Sequence, residues 1–176
     1  SGRRTPLIVL HHRPARVTRR TDDFTLNLPG RLAPWAEQPR FRLDEGPWRP
    51  LPQGAPRAAA PDFVVELQGD ELTAGEHSVE VSACEPDGPN RTVTHTFTYD
   101  PEPPSLPLTA DWSDDGDALE VEDGLWDAFD APDGVRRARP RPGHEGYDRV
   151  VIVAGAFPGA RRVETDVVFR NDTGYK

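Results

Sequence analysis

Apolar and polar residues alternate along this chain in short runs, and prolines and glycines interrupt the runs roughly every ten residues, the rhythm of an all-β protein. The clearest run is Arg91–Tyr99. Val93, His95, Phe97 and Tyr99 fall on one face of a strand, and Thr92, Thr94, Thr96 and Thr98 on the other. The same period predicts strands at Leu7–Leu10, Phe24–Leu28, Arg40–Leu43, Trp48–Leu51, Asp62–Leu67 and His77–Ala83. Further strands are predicted at Ala118–Glu122, Leu125–Phe129, Gly134–Arg139, Tyr147–Ala154 and Arg161–Arg170. Asp123-Gly124 and Asp133-Gly134 read as hairpin turns. No stretch of helical length keeps a 3.6 period free of proline or glycine.

The prolines of Asp100-Pro101-Glu102-Pro103-Pro104-Ser105-Leu106-Pro107 stiffen the chain and end strand pairing. They divide it into a first sandwich over residues 1–100, a linker over 101–108 and a second β-sandwich over 109–176. Five strands in the second part leave an open edge, so it reads as incomplete. We expect it to continue beyond Lys176 or to be completed by strands from a second chain.

The formal charge is −9 and unevenly spread. Arg3, Arg4, Arg13, Arg16, Arg19 and Arg20 lie early and read as a solvated strand edge, whereas Asp111–Asp133 is strongly acidic. That acidity argues against nucleic acid as a partner. Lys176 is the only lysine, a coding bias that fits a GC-rich, bacterial genome. Cys84 stands alone, so no disulfide forms within the chain, and Glu85 and Asp87 beside it do not activate a thiolate. No apolar run reaches the length of a membrane span. The chain begins at Ser1 without methionine, and we expect a secretion signal to have been removed.

Several segments resemble known families. Phe41-Arg42-Leu43-Asp44-Glu45-Gly46-Pro47-Trp48 is similar to the hairpin of bacterial immunoglobulin-like domains. Leu72-Thr73-Ala74-Gly75-Glu76-His77-Ser78-Val79-Glu80-Val81-Ser82-Ala83 resembles their corner, and Glu85–Asn90 their following turn. The ordered set covers about residues 22–100 and implies an immunoglobulin-like sandwich; Glu45 departs from it where glycine is usual. His77 stands where a tyrosine often marks the corner, so it is expected to hydrogen-bond nearby backbone. Trp48 is expected to pack across the sandwich or half-way into its core. Residues 109–170 resemble, less specifically, the start of a concanavalin A-like jelly roll of the laminin-G type. Together the resemblances imply an extracellular or cell-surface protein.

Candidate chemistry is sparse. Asp111, Ser113, Asp115 and Asp117, with Gly116 and Glu122, match the spacing of a calcium loop, in which hard carboxylate and hydroxyl oxygens gather around the ion. The prolines before it leave no entering helix, and an acidic turn between strands accounts for the same residues. Glu164-Thr165-Asp166 resembles the catalytic strand of laminarinase-type hydrolases, but Phe169 stands where their third acid belongs, so no catalytic residue is assigned and this chain is not expected to be an enzyme. His11 and His12 are expected on opposite faces of a strand, His95 on an apolar face and His144 in a loop; no zinc spacing results. Trp112, Trp126 and Tyr147 are the candidate ligand-binding residues, because aromatic rings stack on the apolar faces of sugars; each also suits a small core. The expected function is a non-catalytic binding protein, a spacer module followed by one that binds a glycan or a protein. Two alternatives stay open: an accessory region of a larger carbohydrate-active enzyme, and a structural module completed by partner strands.

Overall fold

The computed structural model describes residues 5–18, 23–51, 62–102, 106–109, 112, 119–123, 125–141, 150–153 and 162. They form an all-β structure of sandwich class, without an α-helix among the described residues.

Two sheets are built from residues up to Asp100. One has the order β1 (Ile8–Leu10), β3 (Thr25–Leu32), β6 (Asp62–Gln68), antiparallel throughout. The other has the order β2 (Arg16–Thr18), β8 (Asn90–Asp100), β7 (Gly75–Cys84), β4 (Glu37–Leu43), β5 (Arg49–Pro50). In it, β2 runs parallel to β8 and the other pairs are antiparallel. The opening segment therefore pairs in one sheet as β1 and crosses to the other as β2.

The alternation seen in the sequence decides which side chains enter the space between the sheets. Leu26, Leu28 and Leu32 of β3 and Phe63, Val65 and Leu67 of β6 meet Phe41, Val79, Val81, Phe97 and Tyr99 from the facing sheet. Val17 closes one side. Each fully buried side chain of this size stabilises by about 1.5–3 kcal/mol over leaving it exposed. Gly30 lies directly opposite Phe63 in the ladder, and a Cβ there would come within 2.2 Å of the Phe63 ring and 2.6 Å of the Val9 carbonyl. Glycine at this position makes room for the phenylalanine. Pro29 sits in the middle strand at no cost to the ladder, because β1 reaches only Gly30–Leu32; its carbonyl accepts the His11 N–H at 2.9 Å.

At the start of β7 the imidazole of His77 is buried. Its Nε2 lies 2.7 Å from the Thr73 carbonyl, four residues upstream, and its Nδ1 lies 2.9 Å from Asp44 Oδ2. The corner interaction with backbone is thus made by histidine.

The later strands are β9 (Leu119–Asp123), β10 (Trp126–Asp130), β11 (Arg136–Pro140) and β12 (Val150–Val153). β10 and β11 form an antiparallel hairpin, and β9 pairs with β12. The hairpin turn is Ala131-Pro132-Asp133-Gly134, with Gly134 at φ +79° and hydrogen bonds Gly134 N–H to Ala131 O (2.8 Å) and Ala131 N–H to Val135 O (3.0 Å). Only glycine takes that φ without strain.

Several expectations need correction. Asp133-Gly134 does turn a hairpin, but Asp123-Gly124 does not: β9 reaches across to β12 instead of folding back on β10. The strand Arg16–Thr18 is an addition; its one buried aliphatic residue, Val17, gives no alternation to read. His11 and His12 follow β1 rather than lying on it, so they do not alternate across a strand. Trp48 does not pack across the sandwich. It lies half-buried on the outer side of β4, with the Arg40 and Arg42 guanidinium groups each 4.7 Å from its ring centroid. The expected strand Arg161–Arg170 falls outside the described residues, apart from Arg162.

Candidate ligand-binding site

Two of the three aromatic residues singled out from sequence come together. The Trp112 and Trp126 rings lie with centroids 5.7 Å apart and planes inclined by 24°, within the range of offset stacking, and both residues are half-buried. An offset pair leaves part of each ring uncovered. Tyr147 lies outside the described residues, so its position relative to the pair is not assigned.

The β10–β11 hairpin sets the pair. Trp126 opens β10 opposite Pro140, and alternation places Ala128 and Asp130 on its face, with Ala138 and Arg136 opposite them. That face is an apolar strip of Trp126, Ala128, Ala138 and Pro140 closed at one end by an ion pair. Arg136 serves both halves: its NH1 group donates to Asp130 Oδ1 at 3.1 Å and its Nε donates to the Trp112 carbonyl at 2.7 Å. The guanidinium thereby ties the segment carrying Trp112 to the strand pair carrying Trp126. Sequence reasoning found the tryptophans but not Arg136, whose role depends on a carbonyl 24 residues away.

The hairpin is fixed further at both ends. At the tip, Arg137 donates two hydrogen bonds to the Asp133 carboxylate, at 2.7 and 2.6 Å. These bonds and the Val135 N–H hold Asp133 down to about 2. At the base, Arg141 donates through Nε to Asp127 at 2.8 Å. Here the hairpin meets the first sandwich. The Trp126 N–H faces His12 Nε2 at 3.4 Å, a geometry that needs an unprotonated Nε2. Burial, then the neighbouring His11 and Arg141, lower His12 to about 4, against the opposing pull of Asp127.

His77 and His95 bond to backbone carbonyls, and His144 lies outside the described residues. His95 is buried with Nε2 2.9 Å from the Pro14 carbonyl, which makes that nitrogen the donor. Asp111, Ser113, Asp115 and Asp117 lie outside the described residues. Glu122 is placed by its backbone within β9, so the last positions of the calcium-type spacing run in a strand paired with β12 and not into a helix. No group of three or more metal-ligating side chains occurs among the described residues. Glu164 and Asp166 are outside them as well. No described helix is long and apolar enough to cross a membrane.

No family model, curated protein or solved structure matches this chain.

Proposed function

We propose that this chain is a non-catalytic binding protein of the extracellular space or bacterial cell surface, in which an immunoglobulin-like sandwich is the spacer and the later strands present a glycan-binding face. The strand order supports the first half of this reading. Two facing sheets, antiparallel apart from the β2–β8 pair, an opening strand that switches between them and a corner side chain bonded to upstream backbone are features of immunoglobulin-like sandwiches.

The Trp112–Trp126 pair carries the second half. Pyranose rings expose C–H groups on one face and hydroxyls at the rim. Two half-exposed indoles on an apolar strip match the first, and the Asp130–Arg136 pair at the end of the strip matches the second. Asp130 is largely exposed and keeps acceptor capacity for sugar hydroxyls.

A glycan array probed with the whole chain tests the reading. Wild type is expected to bind a limited set of glycans, and Trp126→Ala to lose that binding while keeping its thermal transition. Glycan binding that survives in a folded Trp126→Ala protein rejects the indole pair as the platform.

A further inference from the structure

One edge of the five-stranded sheet is only partly paired. β8 spans Asn90–Asp100, but β2 runs beside it at Thr98–Asp100 alone. The Thr98 N–H points to that side, since it donates to the Ala15 carbonyl at 2.9 Å. Backbone direction in a strand repeats every second residue. The N–H and C=O groups of Asn90, Thr92 and Thr94 therefore also point away from β7, and no strand meets them among the described residues. The segment leading into β2 leaves the edge at Pro14, whose carbonyl turns to the His95 side chain at 2.9 Å.

Proteins guard exposed edges with short strands, charges or proline. The opposite edge of this sheet has all of these: β5 is the pair Arg49 and Pro50. On the β8 edge, Asn90, Thr92 and Thr94 are exposed and uncharged. Charges stand at its two ends instead. The turn entering β8 carries Glu85 and Asp87, and Arg13 stands where the β2 segment takes over the edge; all three are exposed. None of them has an ion-pair partner among the described residues.

An edge with acids at one end and a base at the other matches its own copy turned end for end. In an antiparallel pair of β8 strands centred on Thr92, Thr92 faces its counterpart, Asn90 faces Thr94 and Arg91 faces Val93. The backbone-bonded pairs in this register, Thr92 with Thr92 and Asn90 with Thr94, are made by the residues whose N–H and C=O groups face the edge. Facing threonines hydrogen-bond across the strands. The Arg91 stem covers the half-buried Val93. Each copy's Glu85–Asp87 turn arrives beside the other's Arg13, and no like charges stand opposite each other.

We propose that the β8 edge from Asn90 to Thr94 is a dimerisation site, on which a second copy of this chain adds its own β8 antiparallel about a two-fold axis at Thr92. A strand of another protein would satisfy the same backbone groups but not the charges at both ends, and this singles out the copy. The site lies on the first sandwich and does not depend on the glycan reading.

Sedimentation velocity of the whole chain at rising concentration is the test. Pairing one short strand buries less than a standard interface, so wild type is expected to pass from monomer to dimer in the range up to about 1 mM. Thr92→Lys sets two like charges across the axis at an exposed position. It is expected to weaken dimerisation by about tenfold or more while keeping the thermal transition. Arg13→Glu is expected to weaken it by about tenfold, and Glu85→Arg added to it to restore part of the loss. Wild type that stays monomeric throughout overturns the proposal, as does a dimer unchanged in folded Thr92→Lys. If Thr92→Lys does not fold, Arg13→Glu decides: unchanged dimerisation there overturns the charge match and with it the second copy as occupant.

Discussion

Asp44 and His77, thirty-three residues apart, are joined side chain to side chain: Asp44 Oδ2 lies 2.9 Å from His77 Nδ1. The other carboxylate oxygen of Asp44 accepts the Ser78 N–H at 2.8 Å, and the Asp44 N–H donates to the Ser78 carbonyl at 2.7 Å. Asp44 adopts a left-handed φ of 51°, which aspartate tolerates better than most residues. One side chain thus fastens the end of β4 to the start of β7. Burial opposes its ionisation, but the Ser78 N–H and the His77 ring outweigh it and hold Asp44 below the usual carboxylate range. A carboxyl lowered on folding stabilises the protein above its unfolded value of about 3.9, and that stabilisation is lost as pH falls through the folded value. Asp44→Asn is expected to cost about 1–2 kcal/mol at pH 7 and to flatten the acid limb of stability against pH. Urea denaturation between pH 7 and 2.5 checks both; an acid limb identical to wild type contradicts the assignment.

His12 gives a second pH effect, in a higher window. It falls to about 4 in the folded chain, against about 6.5 unfolded. Between these values the unfolded chain binds the extra proton, so stability is complete above about pH 6.5 and declines as pH drops to about 4. The loss is on the order of 2–3 kcal/mol. His12→Asn is expected to remove most of this slope. Chemical denaturation at pH 7 and 4.5 measures it, and an unchanged slope in the variant shows that His12 is not the titrating group.

Gly30 and Gly134 are glycines for opposite reasons, and alanine separates them. At Gly30 the φ is ordinary but the space is filled by Phe63 and the Val9 carbonyl. Gly30→Ala is expected to cost about 3 kcal/mol, the upper range for overpacking a core. At Gly134 nothing lies within 4 Å of the added Cβ, so only the strain of φ +79° remains. Gly134→Ala is expected to cost about 1–2 kcal/mol. Equal losses in urea midpoint at the two positions argue against this division.

The strands that announce themselves in sequence are those whose two faces meet different surroundings. β8 was legible because Thr92, Thr94, Thr96 and Thr98 stay exposed while His95, Phe97 and Tyr99 are buried. β2 was not, because three residues around Val17 depend on a distant partner, with Arg16 paired to Asp100 and Thr98 N–H bonded to the Ala15 carbonyl. Asp123-Gly124 misled because a turn signal does not specify which strand follows in the sheet. Trp48 misled because an aromatic beside a β-run reads as core, whereas Arg40 and Arg42 on the outer face offered it cations. The His77 bond to upstream backbone followed from the resemblance of its segment to the corner of immunoglobulin-like domains, but Asp44 as its second partner required the fold. At the candidate site the indoles were visible as residue types. Their stacking, and Arg136 as the tie between them, came only from the hairpin register.

Arg136 also lends itself to a direct check. Arg136→Ala removes the bond to the Trp112 carbonyl and frees Asp130, while leaving Trp126 in β10. Near-ultraviolet circular dichroism is expected to lose the signal of the coupled indoles, with a stability loss of about 1 kcal/mol or less for these partly exposed bonds. A spectrum unchanged from wild type means that Arg136 does not position Trp112.

The central claim is that Trp112 and Trp126 bind a glycan as a unit. A double-mutant cycle measures it most directly: titration of the best array ligand into wild type, Trp112→Ala, Trp126→Ala and the double variant. Each single change is expected to weaken binding by about tenfold or more, and the double variant to lose clearly less than the sum of the two, as coupled neighbours do. Additive losses, or full affinity in either folded single variant, would contradict the account.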